Sequence, residues 1–198
     1  MAADLSPRRR DRVCPSRPEW PDTEFRLYGP GPDSGTFDYF THAINGKEKA
    51  SRSDYTASED DNTLVQGIAG DVNALGYFGF AYYGANSDRV KLVAIDGGAG
   101  PVLPSTATIN NGTYTPLARP TFIYVSTRSA ERPEVQAFVH FYLDNAAELA
   151  AEVGYVALPP HIYKAAAKRF DDRVTGSVLL GRHDAIGMSI DEMMALEN

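Results

Sequence analysis

Cysteine occurs once in the 198 residues, as Cys14, which excludes an intramolecular disulfide and any zinc centre built on thiolates. Histidine is nearly as scarce, with four, and no H-E-x-x-H pairing is present, so a zinc-hydrolase site has no basis in the sequence. No run of about 18 apolar residues appears, which leaves no candidate membrane-spanning helix. Positive charge is in deficit: 19 Lys and Arg against 26 Asp and Glu give a net charge of −7. Such a chain is ill suited to general nucleic-acid binding, which needs a basic surface to displace counterions.

What is present is ordinary globular material, 43% hydrophobic and 23% charged, so wholesale disorder is excluded. The length allows one domain, or one lobe plus part of another. Charge divides the chain. Residues 1–18 hold Arg8, Arg9, Arg10, Arg12 and Arg17 against Asp4 and Asp11, a net +3, which leaves −10 on the rest. With three prolines and little apolar content, residues 1–19 read as a basic, unfolded arm. The arm lacks the apolar centre of a secretory signal, so the chain as written shows no route out of the cytoplasm.

From Trp20 onward, short apolar strands alternate with helical patterns, which makes the class α/β. Phe25 to Tyr28 reads as a strand closed by Gly29-Pro30-Gly31-Pro32. Phe37, Tyr39, Phe40, Ala43 and Ile44 then fall on one helical face, stopped by Gly46. Residues 47–62 are polar and turn-rich. A second helix carries Leu64, Val65, Ile68 and Ala69, with Asn62 as its cap. Leu75 to Phe80 reads as a strand leading into a helix, and VKLVAI (90–95) and TFIYV (121–125) as buried strands. The longest helical signal starts at Pro133, with a break expected near Asn145 and a further helix over Ile162 to Phe170.

The first candidate site is Tyr28 to Thr36, a strand, a Gly/Pro turn and a helix start. Unpaired N–H groups and the helix dipole suit that place to an anion, Ser34 and Thr36 add hydroxyls, and Gly35 allows close backbone approach. On spacing alone, N-capping by Asp33 or Ser34 is the more frequent use of such a turn. The G-x-x-x-x-G-K-[ST] pattern of a P-loop is absent. The second candidate is Arg52, whose planar fork can grip two oxygens of a tetrahedral anion, with Asp54 placed to hold it. By itself Arg52 reads more readily as a surface ion-pair member than as a ligand. Glu59, Asp60 and Asp61 do not follow the calcium-loop pattern and read as capping, solvent-facing acids. Ser34 does not lie on a G-x-S-x-G elbow, and no spacing ties His42, His140, His161 or His183 to it. No catalytic residue, metal or cofactor is expected.

Three stretches, LYGPGPDSGTFDYFTHAING, SRSDYTASEDDNTLVQGIAGDVNALGYFGFAYY and ARPTFIYVS followed by RPEVQAFVHFYLDNA, together resemble the phosphate-binding proteins of bacterial phosphate ABC transporters. The resemblance runs from about Trp20 to the end and favours an anion site over simple capping. It implies a periplasmic-binding-protein-like α/β fold of type II, in which two lobes close on phosphate. Ser34, Gly35 and Thr36 match the family's S-G-T phosphate motif at the start of a second-lobe helix. An arginine found four residues before that serine in some members is Pro30 here, which leaves Arg52 as the arginine candidate.

The resemblance also implies a domain plan: residues 1–19 as the arm, 20–118 as the second lobe, and 119–198 as an incomplete return into the first. A signal peptide and the first part of lobe one, which precede this region in the family, have no counterpart in the chain. The implied function is phosphate capture for an ABC importer, with the permease as partner and a periplasmic or cell-surface setting. Asp33 and Asp54 are the nearby carboxylates for reading the phosphate proton. Two rivals are a phosphomonoesterase-like enzyme with Ser34 as nucleophile, and a nonfunctional fragment. An unpaired lobe one further implies an exposed apolar patch around TFIYV and Phe138 to Leu143.

Overall fold

The computed structural model describes residues 23–177 and 186–195. The basic arm expected over residues 1–19 lies outside the described residues, as does Trp20. The chain divides into two compact units, one ending at Lys91 and the other beginning at Leu92. That division falls upstream of Ala118, the expected end of the second lobe. Within the second unit, residues between Ile109 and Ala118 line an open cavity of about 50 Å³ with Leu158 and Gly187 to Ile190.

The first unit is built on a three-stranded parallel sheet in the order β2-β1-β3. β1 (Arg26–Pro30) is central, β2 (Thr56–Ser58) and β3 (Ala74–Gly76) flank it, and Tyr28 stands in register with both Thr56 and Gly76. Each crossover carries a helix, α1 (Gly35–Asn45) before β2 and α2 (Asp61–Ala69) before β3. Parallel crossovers are right-handed, so moving first to one side of β1 and then to the other puts α1 and α2 on opposite faces. Of the face read from the sequence of α1, Phe37 is buried, Tyr39, Phe40 and Ala43 are half-buried and Ile44 is exposed. Thr41, outside that reading, is buried too. The Thr41 hydroxyl is satisfied, since it donates to the Phe37 carbonyl at 2.8 Å and accepts from the Lys49 N–H at 2.8 Å. Gly46 ends the helix at φ 71°, a conformation that glycine adopts without steric cost.

Two local expectations are corrected here. The cap of α2 is Asp60, not Asn62: Asp60 has the extended backbone a cap requires, and its carboxylate accepts the Asn62 N–H at 2.9 Å. β2 lies inside the stretch read as turns, because Thr56, Ala57 and Ser58 carry none of the apolar alternation that marks a strand. α2 lies close on the sheet and buries Leu64 and Val65. Gly67 makes that approach feasible, since a Cβ there would stand 2.3 Å from the Tyr28 ring. A short helix, α3 (Phe80–Gly84), follows β3.

In the second unit, the strand expected over 90–95 shrinks to β4 (Ile95–Asp96), paired antiparallel with β5 (Pro101–Val102). Val90 to Ala94 find no ladder partner among the described residues. α4 (Thr106–Asn110) follows, opened by a capping box of Ser105 and Thr108. Residues 121–125 form no strand, and Thr121 to Tyr124 are exposed. α5 (Pro133–Glu152) is one helix of 20 residues. The break expected at Asn145 does not occur, because the Asn145 amide donates to its own helix at the Phe141 carbonyl, 2.7 Å away, and the ladder continues. α6 (Pro160–Asp171) and α7 (Ile190–Ala195) complete the unit. Its buried apolar set is Ala130, Val139, Leu143, Ala146, Ile162 and Met193.

Candidate functional site

β1 delivers the chain to a turn at the carboxyl end of the parallel sheet, where α1 begins. Open α/β sheets place ligands there, outside the strand ends and at the point where successive connections diverge to opposite sides. In this unit that point lies between β1 and β3. The turn is closed by the Ser34 N–H donating to the Gly31 carbonyl at 3.1 Å. Ser34 is the N-cap of α1, and its Oγ accepts the Thr36 N–H at 3.1 Å. Gly35 is exposed, while Ser34 and Thr36 are half-buried. The S-G-T segment therefore presents a helix N-terminus with two hydroxyls at a sheet's carboxyl edge.

Sequence reasoning missed Glu59. It is exposed, as the sequence reading has it, and its Oε1 also accepts the Asp33 N–H in a long hydrogen bond of 3.4 Å. A Cβ on Gly31 would lie 2.0 Å from the same oxygen, so a glycine leaves the room that this carboxylate uses. The signal for this contact is the strand register. Pro30 pairs with Ser58, so the residues that follow, Gly31 and Glu59, emerge side by side. A carboxylate beside a helix N-terminus is electrostatically favoured, and it occupies ground that a free anion would also seek.

Two tyrosines stand beside Gly29 in β1. The Tyr55 hydroxyl donates to the Pro30 carbonyl at 3.1 Å, and burial, reinforced by the nearby Glu59 charge, raises its pKa. Tyr77 stacks on Phe40 of α1 with ring centroids 3.8 Å apart, and burial pushes its phenol up to about 12. At the start of α2, burial raises the Asp61 carboxyl. A hydrogen bond from the Gly79 N–H opposes the rise, while Asp60 and Glu59 add to it.

Arg52 lies on the exposed segment that leads into the amino end of β2, whereas Ser34 follows the carboxyl end of β1. The fork is held as the sequence pattern anticipates. Nε donates to Asp54 Oδ1 at 2.5 Å, and Nη2 to Asp54 Oδ2. This guanidinium holds the Asp54 carboxyl down at about 2. Asp33, the other acid considered from the sequence, is exposed in the turn itself. Of the histidines, His140 pairs with Asp171 at 3.1 Å and His161 with Asp191 at 2.7 Å, both in the second unit. His183 lies outside the described residues.

The profile of the PBP superfamily domain matches residues 16–146. The chain belongs to the PBP superfamily. This agrees with the α/β, binding-protein-like fold expected from the sequence and with the parallel sheet observed. Relatives carry the same theme. SphX of Synechococcus elongatus is 48% identical over 179 residues, covering 90% of this chain and 52% of that protein. The phosphate-binding protein PstS of Staphylococcus saprophyticus is 32% identical over 159 residues, covering 78% of this chain and 48% of its own length. A solved structure, described as a possible phosphate binding protein from Planctomyces limnophilus DSM 3776, superposes with a TM-score of 0.65 at 44% identity. It covers 80% of this chain and 57% of its own. The PBP superfamily chain described here thus spans about half the length of the curated relatives it matches.

Proposed function

We propose that the chain binds inorganic phosphate as the substrate-binding component of an ABC importer, with Ser34, Gly35 and Thr36 as its anion contacts. The observation that carries this reading is the S-G-T segment capping α1 at the carboxyl end of the central parallel strand. Backbone N–H groups and the two hydroxyls donate to phosphate oxygens, and the helix dipole adds favourable potential. Arg52 is assigned as a further donor, which requires its fork to leave Asp54 and the segment before β2 to carry it from the amino end of the sheet to the S-G-T end. Residues 20–118 serve as the second ligand-binding lobe, and residues 119–198 belong with the first. The setting is periplasmic or at the cell surface, with a membrane permease receiving the ligand.

Phosphate near neutrality carries a proton that sulfate lacks. A carboxylate is acceptor-only when ionised, so it welcomes a P–OH and is left repulsive against sulfate. Glu59 is the group for this task, with its Oε1 already at the Asp33 N–H. Binding without turnover also fits the local chemistry, because the Ser34 Oγ is occupied as a cap and a nucleophile would need a base beside it.

Titration calorimetry with phosphate and with sulfate tests the reading. The expected result is weak, salt-sensitive phosphate binding by this chain alone, on the order of millimolar, because one wall of a cleft leaves the ion hydrated. Ser34→Ala and Thr36→Ala should each weaken binding by about tenfold or more. Binding that survives both substitutions would place the ligand elsewhere, and phosphomonoester hydrolysis lost in Ser34→Ala would establish the enzyme alternative.

A further inference from the structure

Asparagine is followed directly by glycine at two places in the chain, Asn45-Gly46 and Asn111-Gly112. The pair has a chemistry of its own. Glycine lacks the Cβ that would shield its backbone nitrogen, so that nitrogen can attack the side-chain carbonyl carbon of the asparagine before it. Neither pair lies in the S-G-T segment, and the fold holds the two in opposite ways.

Asn45 is the last residue of α1, and its side-chain amide donates to the Ala50 carbonyl. The Gly46 N–H, the attacking group, donates to the His42 carbonyl at 2.8 Å. Reaction there would undo the end of a helix of 11 residues that is anchored by buried Phe37 and Thr41. Asn111 instead stands at the end of α4, whose 5 residues are too few for a helix that is stable on its own. Asn111 is exposed, and the Gly112 N–H has only a long bond of 3.3 Å to the Ile109 carbonyl. Asn111 Oδ1 accepts from the Thr113 N–H at 3.0 Å and from the Thr113 hydroxyl at 2.6 Å. The other acceptor open to that hydroxyl, the Thr108 carbonyl, is farther away at 3.3 Å. Both donors point at the oxygen that gains negative charge when Cγ is attacked, which is the arrangement of an oxyanion hole.

We propose that Asn111 is a self-modifying site that converts to aspartate and isoaspartate, with Thr113 stabilising the charge on its carbonyl oxygen. The Gly112 nitrogen loses its proton to water and bonds to Asn111 Cγ, and the carbonyl electron pair moves onto Oδ1. The pair returns as the Cγ–Nδ2 bond breaks, and the nitrogen takes up a proton and leaves as ammonia. Water then opens the cyclic imide, at Cγ to give aspartate or at the backbone carbonyl to give isoaspartate. One water is consumed and one ammonia released, with no oxidation or reduction. Asn111 must turn from its ψ of 3° for the ring to close, so opening of the last turn of α4 sets the rate. The product alters the second unit. A Cβ on Gly112 would already stand 2.9 Å from the Ser189 Cβ, and the extra backbone carbon of isoaspartate shifts Gly112 within that close approach. Ser189 opens α7 through its hydrogen bonds with Glu192. The inference does not depend on phosphate binding.

The test incubates the full chain at mildly alkaline pH beside a sample unfolded in urea. Peptide mass mapping follows both asparagines, and released ammonia is measured. In the folded chain Asn111 should convert about tenfold or more faster than Asn45, while the unfolded sample converts both at similar rates. Thr113→Ala should slow Asn111, Thr113→Ser should restore it, and Asn111→Gln should remove most of the ammonia. Three outcomes would overturn the proposal: equal or faster conversion at Asn45 in the folded chain, an Asn111 that stays intact while the unfolded sample reacts, or a Thr113→Ala chain that reacts as fast as the parent.

Discussion

The two units of this chain answer the same sequence signals differently. In the first, a three-stranded parallel sheet has a helix on each face, and the apolar periodicity of α1 and α2 ends in burial of Phe37, Leu64 and Val65. In the second, TFIYV and the Phe138 flank of α5 carry equally strong signals, and they remain exposed. Periodicity records which face of an element needs a partner, and burial follows only where the fold supplies one. The contrast predicts unequal stability responses, which are the largest effects expected. Leu64→Ala in the first unit should cost about 2–5 kcal/mol, because it empties a fully buried site. Phe138→Ala, an equal or larger truncation, should fall within about 0.5 kcal/mol, the range usual for surface positions. Denaturant midpoints followed with amide exchange in each unit will check this, and a large loss in Phe138→Ala would break the comparison.

The same contrast explains which parts were legible in the sequence. α1 was readable from Phe37 to the Gly46 stop because its cap and its terminator agree with its apolar pattern and are each satisfied within a few residues. β2 was not, since Thr56, Ala57 and Ser58 acquire strand character only through pairing with β1. VKLVAI failed in the opposite sense: strand composition is present, but only Ile95 and Asp96 find a partner. At the candidate site, the placement of Ser34 at a helix N-terminus was readable from the Gly/Pro turn and the apolar run after it. The arrival of Glu59 was not, because it depends on the register of two parallel strands far apart in sequence.

The next effect sharpens the comparison at the site itself. Ser34 serves the first unit twice, as a helix cap and as a proposed ligand, so Ser34→Ala should cost about 0.5–2 kcal/mol of stability along with phosphate binding. Thr36→Ala removes a hydroxyl that does no capping. It should reduce binding by about tenfold or more with a smaller stability change, since a hydrogen bond to a charged group is worth about 1.5–3 kcal/mol. Calorimetry and thermal melts on both variants separate the two roles, and an identical stability loss in each would merge them. Glu59→Gln should act in the other direction. Removing the charge beside the Asp33 N–H should raise affinity for sulfate more than for phosphate, narrowing the preference between them. An unchanged ratio of the two affinities would remove Glu59 from the selection of phosphate.

The smallest effect concerns Arg52 and Asp54, exposed on the approach to β2. Their hydrogen bonds lower the Asp54 carboxyl from 3.8 to about 2. A folded value below the unfolded one means that the pair favours the folded state above pH 3.8 and that this contribution disappears as pH falls through 2. Because the carboxylate is at the surface, salt should weaken the contribution further. Carboxyl NMR should find the Asp54 midpoint near 2 in the parent chain and close to 3.8 in Arg52→Ala. The same spectra decide whether Arg52 belongs to the anion site. At neutral pH, phosphate that takes the fork from Asp54 must shift the Arg52 Nε resonance at the concentrations that shift the Gly35 amide. A Gly35 amide that moves while Arg52 Nε stays fixed would leave Arg52 as the holder of Asp54 and the S-G-T segment as the phosphate contact without it.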